Sequence, residues 1–204
     1  MKEFWDDRYS EKEYAYGTEP NAYFKYALEK IHPSGAAFFP GEGEGRNAVY
    51  AAKQGLVVTA LDYSSEARNK ALKLAKHNNV TLEYQIGDMG HIRFKPNSFN
   101  LAVLVFTHFL PDESDNYFKA LINYLKPGGY LIAELFSKDH SQFLKSNPLA
   151  GGPKNSDMLY TVSEIKKYFS GLAFIELEKK VIELNEGLYH RGQASVIRLI
   201  GQKI

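Results

Sequence analysis

The sequence predicts a doubly wound α/β domain: a mostly parallel sheet that ends in an antiparallel hairpin. Three observations carry this. Strand-like and helix-like segments alternate along most of the chain, the pattern that puts helices on both faces of a parallel sheet. The run NLAVLVF, residues 100–106, is apolar throughout, as in a strand covered on both sides. The last two β-rich segments, about 172–184 and 193–203, are joined through NEGLYHRG. That link is too short for a crossover helix, so the final strand runs antiparallel to its neighbour.

The elements follow in order. Residues 19–31 read as a helix opened by Pro20, which suits a first helical position. AAFF, 36–39, is a short buried strand, and 46–54 is a helix that ends at Gly55. VVTALD, 57–62, is a second apolar strand. Ser64 then caps a helix whose Ala67, Ala71, Leu74 and Ala75 share one face. TLEYQIGD, 81–88, alternates like a strand. Residues 112–125 form a helix with Phe118, Leu121, Ile122 and Leu125 inward. Pro127 and Gly128 suit a type II turn, with a strand starting immediately after. Residues 137–160 are rich in Gly, Pro, Ser and Asn and read as a long loop, either mobile or functional. Thr161 and Glu164 make a capping box for the last helix.

The 204 residues, 44% hydrophobic and 24% charged, suffice for one domain, 1–204, with a full core. The net charge of +1, without a basic block, gives no sign of a nucleic-acid partner. The absence of cysteine excludes disulfides, thiol nucleophiles and Cys-based zinc sites. No apolar stretch approaches a membrane span, and MKEFWDDRYS has no signal core. The expectation is a cytoplasmic protein with no metal. Oligomeric state is not legible.

FFPGEGEGRN, 38–47, places Gly41, Gly43 and Gly45 between the first strand and a helix. Glycines there imply a close approach to the backbone. In an open α/β sheet, ligands bind at the carboxyl ends of the strands. The spacing is Gly-x-Gly-x-Gly, not the Gly-x-Gly-x-x-Gly of dinucleotide binders. Glu42 and Glu44 inside the loop would repel a pyrophosphate. A neutral or cationic ligand is favoured, or else a plain strand-to-helix turn. Asp62, at the end of the second strand, can accept both hydroxyls of a ribose. Asp88, after the third, can accept from an exocyclic amine such as adenine's. Either alone is more often a turn aspartate; together at one sheet edge they define a candidate site.

GEGEGRN, TALDYS, IGDM, NLAVLVFTHF and YLKPGGYLIAELF resemble successive motifs of the class I S-adenosylmethionine-dependent methyltransferases, over essentially the whole chain. FWDDRYSEKEYAYGTEPN, PGEGEGRNAVYAAKQG, GGPKNSDMLYT and YHRGQASVIRLIGQK are similar to its small tellurite-resistance-type, thiopurine-methyltransferase-like branch. The resemblance implies a Rossmann-like methyltransferase fold of seven strands in the order 3-2-1-4-5-7-6, strand 7 antiparallel. It implies S-adenosyl-L-methionine as cofactor, held by Gly41, Glu42, Gly43, Gly45, Arg46, Asn47, Asp62, Tyr63, Asp88, Met89, Phe106 and Trp5. One departure stands out. The acidic residue usual two positions before the first glycine is Phe39 here, and Glu42 or water would supply that contact instead.

The implied reaction delivers an already activated methyl, so alignment and exclusion of water are the main requirements. A base is needed only if the acceptor must lose a proton. His108, after the fourth strand, is either such a base or a packing histidine. Residues 1–18 are expected to form a lid, with Trp5, Tyr14 or Tyr16 facing a cation at roughly 0.5–2 kcal/mol. His190 and Arg191, past the hairpin turn, overhang the same face and suit a small anionic acceptor, or else they pin the hairpin. The branch suggests a soft nucleophile, a chalcogen oxyanion or a thiol. A non-catalytic S-adenosylmethionine-binding protein and an NAD-type oxidoreductase remain as alternatives.

Overall fold

A computed structural model describes residues 2–204. In chain order its elements are α1 (Lys2–Ser10), α2 (Ala22–Ile31), β1 (Ala36–Pro40), α3 (Arg46–Lys53), β2 (Val57–Asp62), α4 (Ser65–His77), β3 (Glu83–Ile86) and β4 (Phe99–Val105). There follow α5 (Pro111–Tyr124), β5 (Leu125–Phe136), α6 (His140–Ser146), α7 (Val162–Tyr168), β6 (Leu172–Glu186) and β7 (His190–Lys203). The strands form one sheet in the order β3-β2-β1-β4-β5-β7-β6. The β1–β2, β1–β4, β2–β3 and β4–β5 pairs are parallel. β7 is antiparallel to both β5 and β6, as the short final connection requires.

The pleat explains the two-sided core, because successive side chains of a strand point to opposite faces. Phe38 packs with Leu104, Phe118 and Leu121 under α5. Its neighbour Phe39 packs with Phe24, Ala27 and Ala48 under α2 and α3. β4 divides the same way, with Leu101 and Val103 on the second face and Ala102 and Leu104 on the first. The expected inward face of α4 is buried at Ala67, Ala71, Leu74 and Ala75. Ser64 accepts from the Ala67 amide as its cap. The capping box of α7 is complete, with Thr161 and Glu164 bonding reciprocally.

Three boundaries differ from the sequence reading. α2 begins at Ala22, because the Asn21 side chain accepts from the Phe24 amide; an N-cap oxygen decides the start over Pro20. β5 begins at Leu125, which pairs with Phe99, while the next pair is Leu101 with Tyr130. The Pro127–Gly128 turn is therefore a bulge inside the strand. The segment 137–160 is not a bare loop: it contains α6, two short 3₁₀ turns at 148–150 and 156–158, and buried His140, Ala150, Leu159 and Tyr160. Its polar residues face water while this minority of side chains holds it to the sheet.

Candidate active site at the carboxyl edge of the sheet

The glycine loop leaves β1 and turns into α3. The amides of Gly41 and Glu42 both donate to Leu61 O of β2. Gly43 has φ 63°, and a Cβ there would lie 2.7 Å from the Tyr9 hydroxyl. Gly45, at φ 89°, would drive a Cβ to 2.6 Å from that of Ala71. The close approach inferred from the glycines is thus made by the protein itself: α4 from below and the N-terminal segment from above.

The loop glutamates differ from the expectation that both charges point at a ligand. Glu42 turns back and accepts from the amides of Asn47 and Ala48, the open end of α3. Removal from water outweighs these bonds and raises its carboxyl to about 8. Glu44 is buried, pairs with Lys70 at 2.8 Å and accepts from the Ala15 amide. Its charge is compensated and ties residues 13–16 to the loop. The pyrophosphate-repulsion argument therefore falls on Glu44, although the cationic preference of the edge survives through other carboxylates. Arg46 likewise faces the protein, bonding Tyr16 O at 3.2 Å and Glu186 at 2.7 Å. Asn47 accepts from the Asn21 amide.

Asp62 closes β2 and is buried. Its two oxygens accept from the amides of Gly43 and Ser64, one each. A carboxylate has about four acceptor positions, so each oxygen retains capacity for a hydroxyl. Desolvation outweighs the two amides and lifts Asp62 to about 6. Asp88 lies beyond β3 and accepts from the Gly90 amide and the Tyr117 hydroxyl. Burial acts against ionisation, but these donors and Tyr63 outweigh it and hold the carboxyl below its ordinary value. Tyr63, beside it, is pushed up to about 12 by burial and by the Asp88 charge. Met89 is buried in the apolar cluster with Leu61 and Tyr117.

The N-terminal segment lies over this edge. α1 packs on α4, and Ser64 donates to Asp6. Trp5 stacks on Tyr9 at 5.5 Å, and Tyr9 is the aromatic that reaches Gly43. Ala15 is held at both ends: its amide by Glu44 and its carbonyl by the Leu188 amide of the hairpin turn. The hairpin therefore overhangs the glycine loop, as its parallel entry through β6 requires.

After β4, Phe106 takes a left-handed φ of 53°, an uncommon conformation for a bulky residue and a mark of functional positions. Its ring stacks on Phe136 at 4.5 Å and meets His190 at 4.6 Å. The Tyr16 ring lies 4.4 Å from His190 on another side. His190 is buried and its Nδ1 stands 3.5 Å from Glu186. Burial lowers its pKa although Glu186 acts the other way.

Two candidates have their polar atoms engaged elsewhere. His108 Nδ1 lies 2.8 Å from Met158 O, and Nε2 accepts from the Phe136 amide. Burial holds its pKa down to about 4. With both nitrogens engaged, its geometry accords with the packing alternative. Arg191 is exposed and donates through Nε to Gly187 O, a bond that ties its own turn.

Sequence reasoning missed Tyr9, Asn21, Glu134 and Glu186 as members of this cluster. Glu134 left a signal: a single acid within the buried apolar strand YLIAELF requires a partner. It has Arg198 and Asn21.

Residues 40–129, somewhat under half of the chain, match the family model described as methyltransferase domain. The matched segment runs from the glycine loop to the Pro127–Gly128 turn and is similar to methyltransferase domains. No curated protein matches the chain in sequence. Its fold is shared by a structure from work on the conversion of a disulfide bond into a thioacetal group during echinomycin biosynthesis. The TM-score is 0.79 at 19% identity, over 100% of this chain and 92% of that one. A SAM-dependent methyltransferase from Methanosarcina mazei gives 0.65 at 19%, over 91% and 99%. TehB from Haemophilus influenzae gives 0.71 at 16%, over 100% and 67%. These likenesses show the methyltransferase fold without selecting a branch within it. Among the described residues, no helix is long and apolar enough to cross a membrane, and no group of three or more acidic, His or Cys residues is arranged for a metal.

Proposed function

We propose that the chain is an S-adenosylmethionine-dependent methyltransferase acting on a small, soft nucleophile that carries its own proton, a thiol being the best fit, and that His190 accepts that proton. The carrying observation is the arrangement of His190: a buried imidazole with Nδ1 toward Glu186, set against Phe106 at the end of β4 and Tyr16 of the N-terminal segment. Nε2 is the nitrogen left for a substrate, and the lowered pKa keeps it unprotonated at neutral pH.

The residues present fit the cofactor. Asp62 retains acceptor capacity for ribose hydroxyls, and Asp88 with Tyr63 and Met89 suits an adenine. The loop of Gly41, Gly43 and Gly45 supplies a side-chain-free backbone. Trp5, Tyr9 and Phe106 offer aromatic faces to a cation. Glu42 holds the first turn of α3 through the amides of Asn47 and Ala48. When bound, the cofactor supplies a methyl group activated on a sulfonium. The chain's own work is then to exclude water with residues 1–18, to orient the acceptor against Phe106 and Tyr16, and to hold its proton on His190 Nε2.

The finer resemblance, to the tellurite-resistance-type branch, suggests a chalcogen oxyanion or a thiol. Against the oxyanion, Arg46 is paired with Glu186, and Arg191 spends its Nε–H on Gly187 O. A sulfur acceptor also accords with the sulfur chemistry named for the echinomycin-pathway relative. The test is S-adenosylhomocysteine release with matched acceptors: small thiols, their methyl ethers, and selenite or tellurite. Turnover with thiols that falls on His190→Gln supports the reading. Turnover with oxyanions alone, insensitive to His190→Gln, overturns it.

A further inference from the structure

We infer that Asn21 is a positioning residue for His190, acting through Glu186; the role in turnover rests on the reading just given, whereas the linkage itself does not. Asn21 is 1% exposed and uses every polar group it has. Its amide donates to Asn47 Oδ1 at 2.9 Å, and its Oδ1 accepts from the Phe24 amide at 2.8 Å. Its Nδ2 donates to Glu134 Oε2 at 2.6 Å and to Glu186 Oε1 at 2.9 Å. A side-chain amide with all of its capacity filled is fixed in orientation.

The consequence is at Glu186. Asn21 holds Oε1, which leaves Oε2 to face both Arg46 at 2.7 Å and His190 Nδ1 at 3.5 Å. A carboxylate held in this way selects the tautomer with the proton on Nδ1 and the lone pair on Nε2. Glu134 anchors the other side, since its Oε1 accepts from Arg198 Nε at 2.7 Å. Four remote segments thus meet in one polar chain: Arg198 on β7, Glu134 on β5, Asn21 before α2, and Glu186 at the end of β6.

The groups that face His190 are Glu186 on β6, Arg46 on α3, Tyr16 of the N-terminal segment, His140 on α6 and His108 after β4. Of these, Glu186 is the one that lies against Nδ1 as an acceptor. Removing its orienting donor therefore leaves the tautomer unselected.

Asn21→Ser separates this role from helix capping. Serine remains a good N-cap, while both Nδ2 donors disappear. The measurement is the ¹⁵N spectrum of histidine-labelled full-length protein, with His190 assigned by its loss in His190→Gln. The wild type is expected to show a proton on Nδ1 and a bare Nε2. In Asn21→Ser the two nitrogen signals move toward each other as the tautomers mix. In the thiol assay kcat is expected to fall about tenfold, a part of what a well-placed base contributes. S-adenosylhomocysteine affinity is expected to stay within about twofold, because Asn21 touches no cofactor-binding group except Asn47. If Asn21→Ser does not fold, Glu186→Gln reads the same linkage from its other end and is expected to mix the tautomers as well. A His190 spectrum unchanged in the folded variant overturns the inference and leaves Asn21 a structural residue. A changed spectrum with unchanged turnover upholds the linkage and overturns the base assignment.

Discussion

Asp62 gives the most direct test of where the cofactor sits. In the free protein its carboxyl is lifted to about 6 by burial, against the pull of the Gly43 and Ser64 amides. If ribose hydroxyls donate to it, the bound state holds it ionised, and binding must expel its proton. Affinity then depends on the ionised fraction before binding. At pH 7 that fraction is about nine-tenths, and at pH 5 about one-tenth. The affinity for S-adenosylhomocysteine should therefore be about tenfold weaker at pH 5 than at pH 7, or about 1.4 kcal/mol. Glu42 does not confuse this window, because its carboxyl titrates near 8. Asp62→Asn should remove the pH dependence and, by weakening the polar contacts, cost roughly 1–3 kcal/mol of affinity at pH 7. Titration calorimetry from pH 5 to 7.5 on both proteins reads both effects. An affinity flat across that range in the wild type, or one with the same slope in Asp62→Asn, would refute the assignment of Asp62 to the ribose.

Other expectations follow from the same geometry. The elevated pKa of Asp62 also acts on folding: its contribution is fully present below about pH 4 and is lost as pH rises through 6, by about 3 kcal/mol. Denaturant titrations of the free protein should show that loss in the wild type and not in Asp62→Asn. Lys70→Met leaves the Glu44 carboxylate buried without its cation, so stability should fall by about 3 kcal/mol; hydrogen exchange at Ala15 and Leu188 should quicken. Residues 1–18 should exchange more slowly with S-adenosylhomocysteine bound, and equal exchange would reduce them to static packing. Arg191→Met should leave the acceptor KM unchanged and lower stability only slightly, as an exposed residue; a large rise in KM would restore the anionic-acceptor reading. His108→Gln should lower the melting temperature and leave the pH profile of kcat/KM in place, whereas His190→Gln should abolish its acidic limb.

The sequence displays features that depend on neighbours a few residues away. Val57–Asp62 matches its strand in both limits, and the caps at Ser64 and Thr161 are local hydrogen bonds between residues three apart. The glycines are legible because a left-handed φ excludes most other residues. What the glycines meet is not legible, since Tyr9 and Ala71 reach the loop only through tertiary packing. The same limit explains Arg46. Its partner Glu186 lies 140 residues away, so a cation beside a glycine loop reads as a ligand contact until the hairpin is in place. His108 and Arg191 have residue types that suit catalysis, but Met158 O and the Phe136 amide engage both His108 nitrogens, and Gly187 O takes the Arg191 Nε–H, contacts that only the tertiary structure reveals. In 137–160, composition described the majority of residues, while the few that bury decide the conformation.

The charges around the edge bear on which acceptor can be used. Lys70 pairs with Glu44, Arg46 with Glu186, and Arg198 with Glu134. Among the described residues Asp62 and Asp88 have no Lys or Arg partner, Asp88 facing exposed His91, while Glu42, raised to about 8, is largely protonated at neutral pH. The edge presents the Asp62 and Asp88 carboxyls to whatever enters. Such a field attracts a ligand of net positive charge and weakens its hold once methyl transfer has removed the sulfonium charge, which favours product release. It repels an anionic acceptor approaching on the same side. A neutral thiol meets no such barrier and becomes the reactive anion only after it is enclosed, when His190 has taken its proton. The order that the electrostatics favour is cofactor first, neutral acceptor second, ionisation last. Raising the salt concentration should weaken cofactor binding while leaving the KM of a neutral thiol nearly constant.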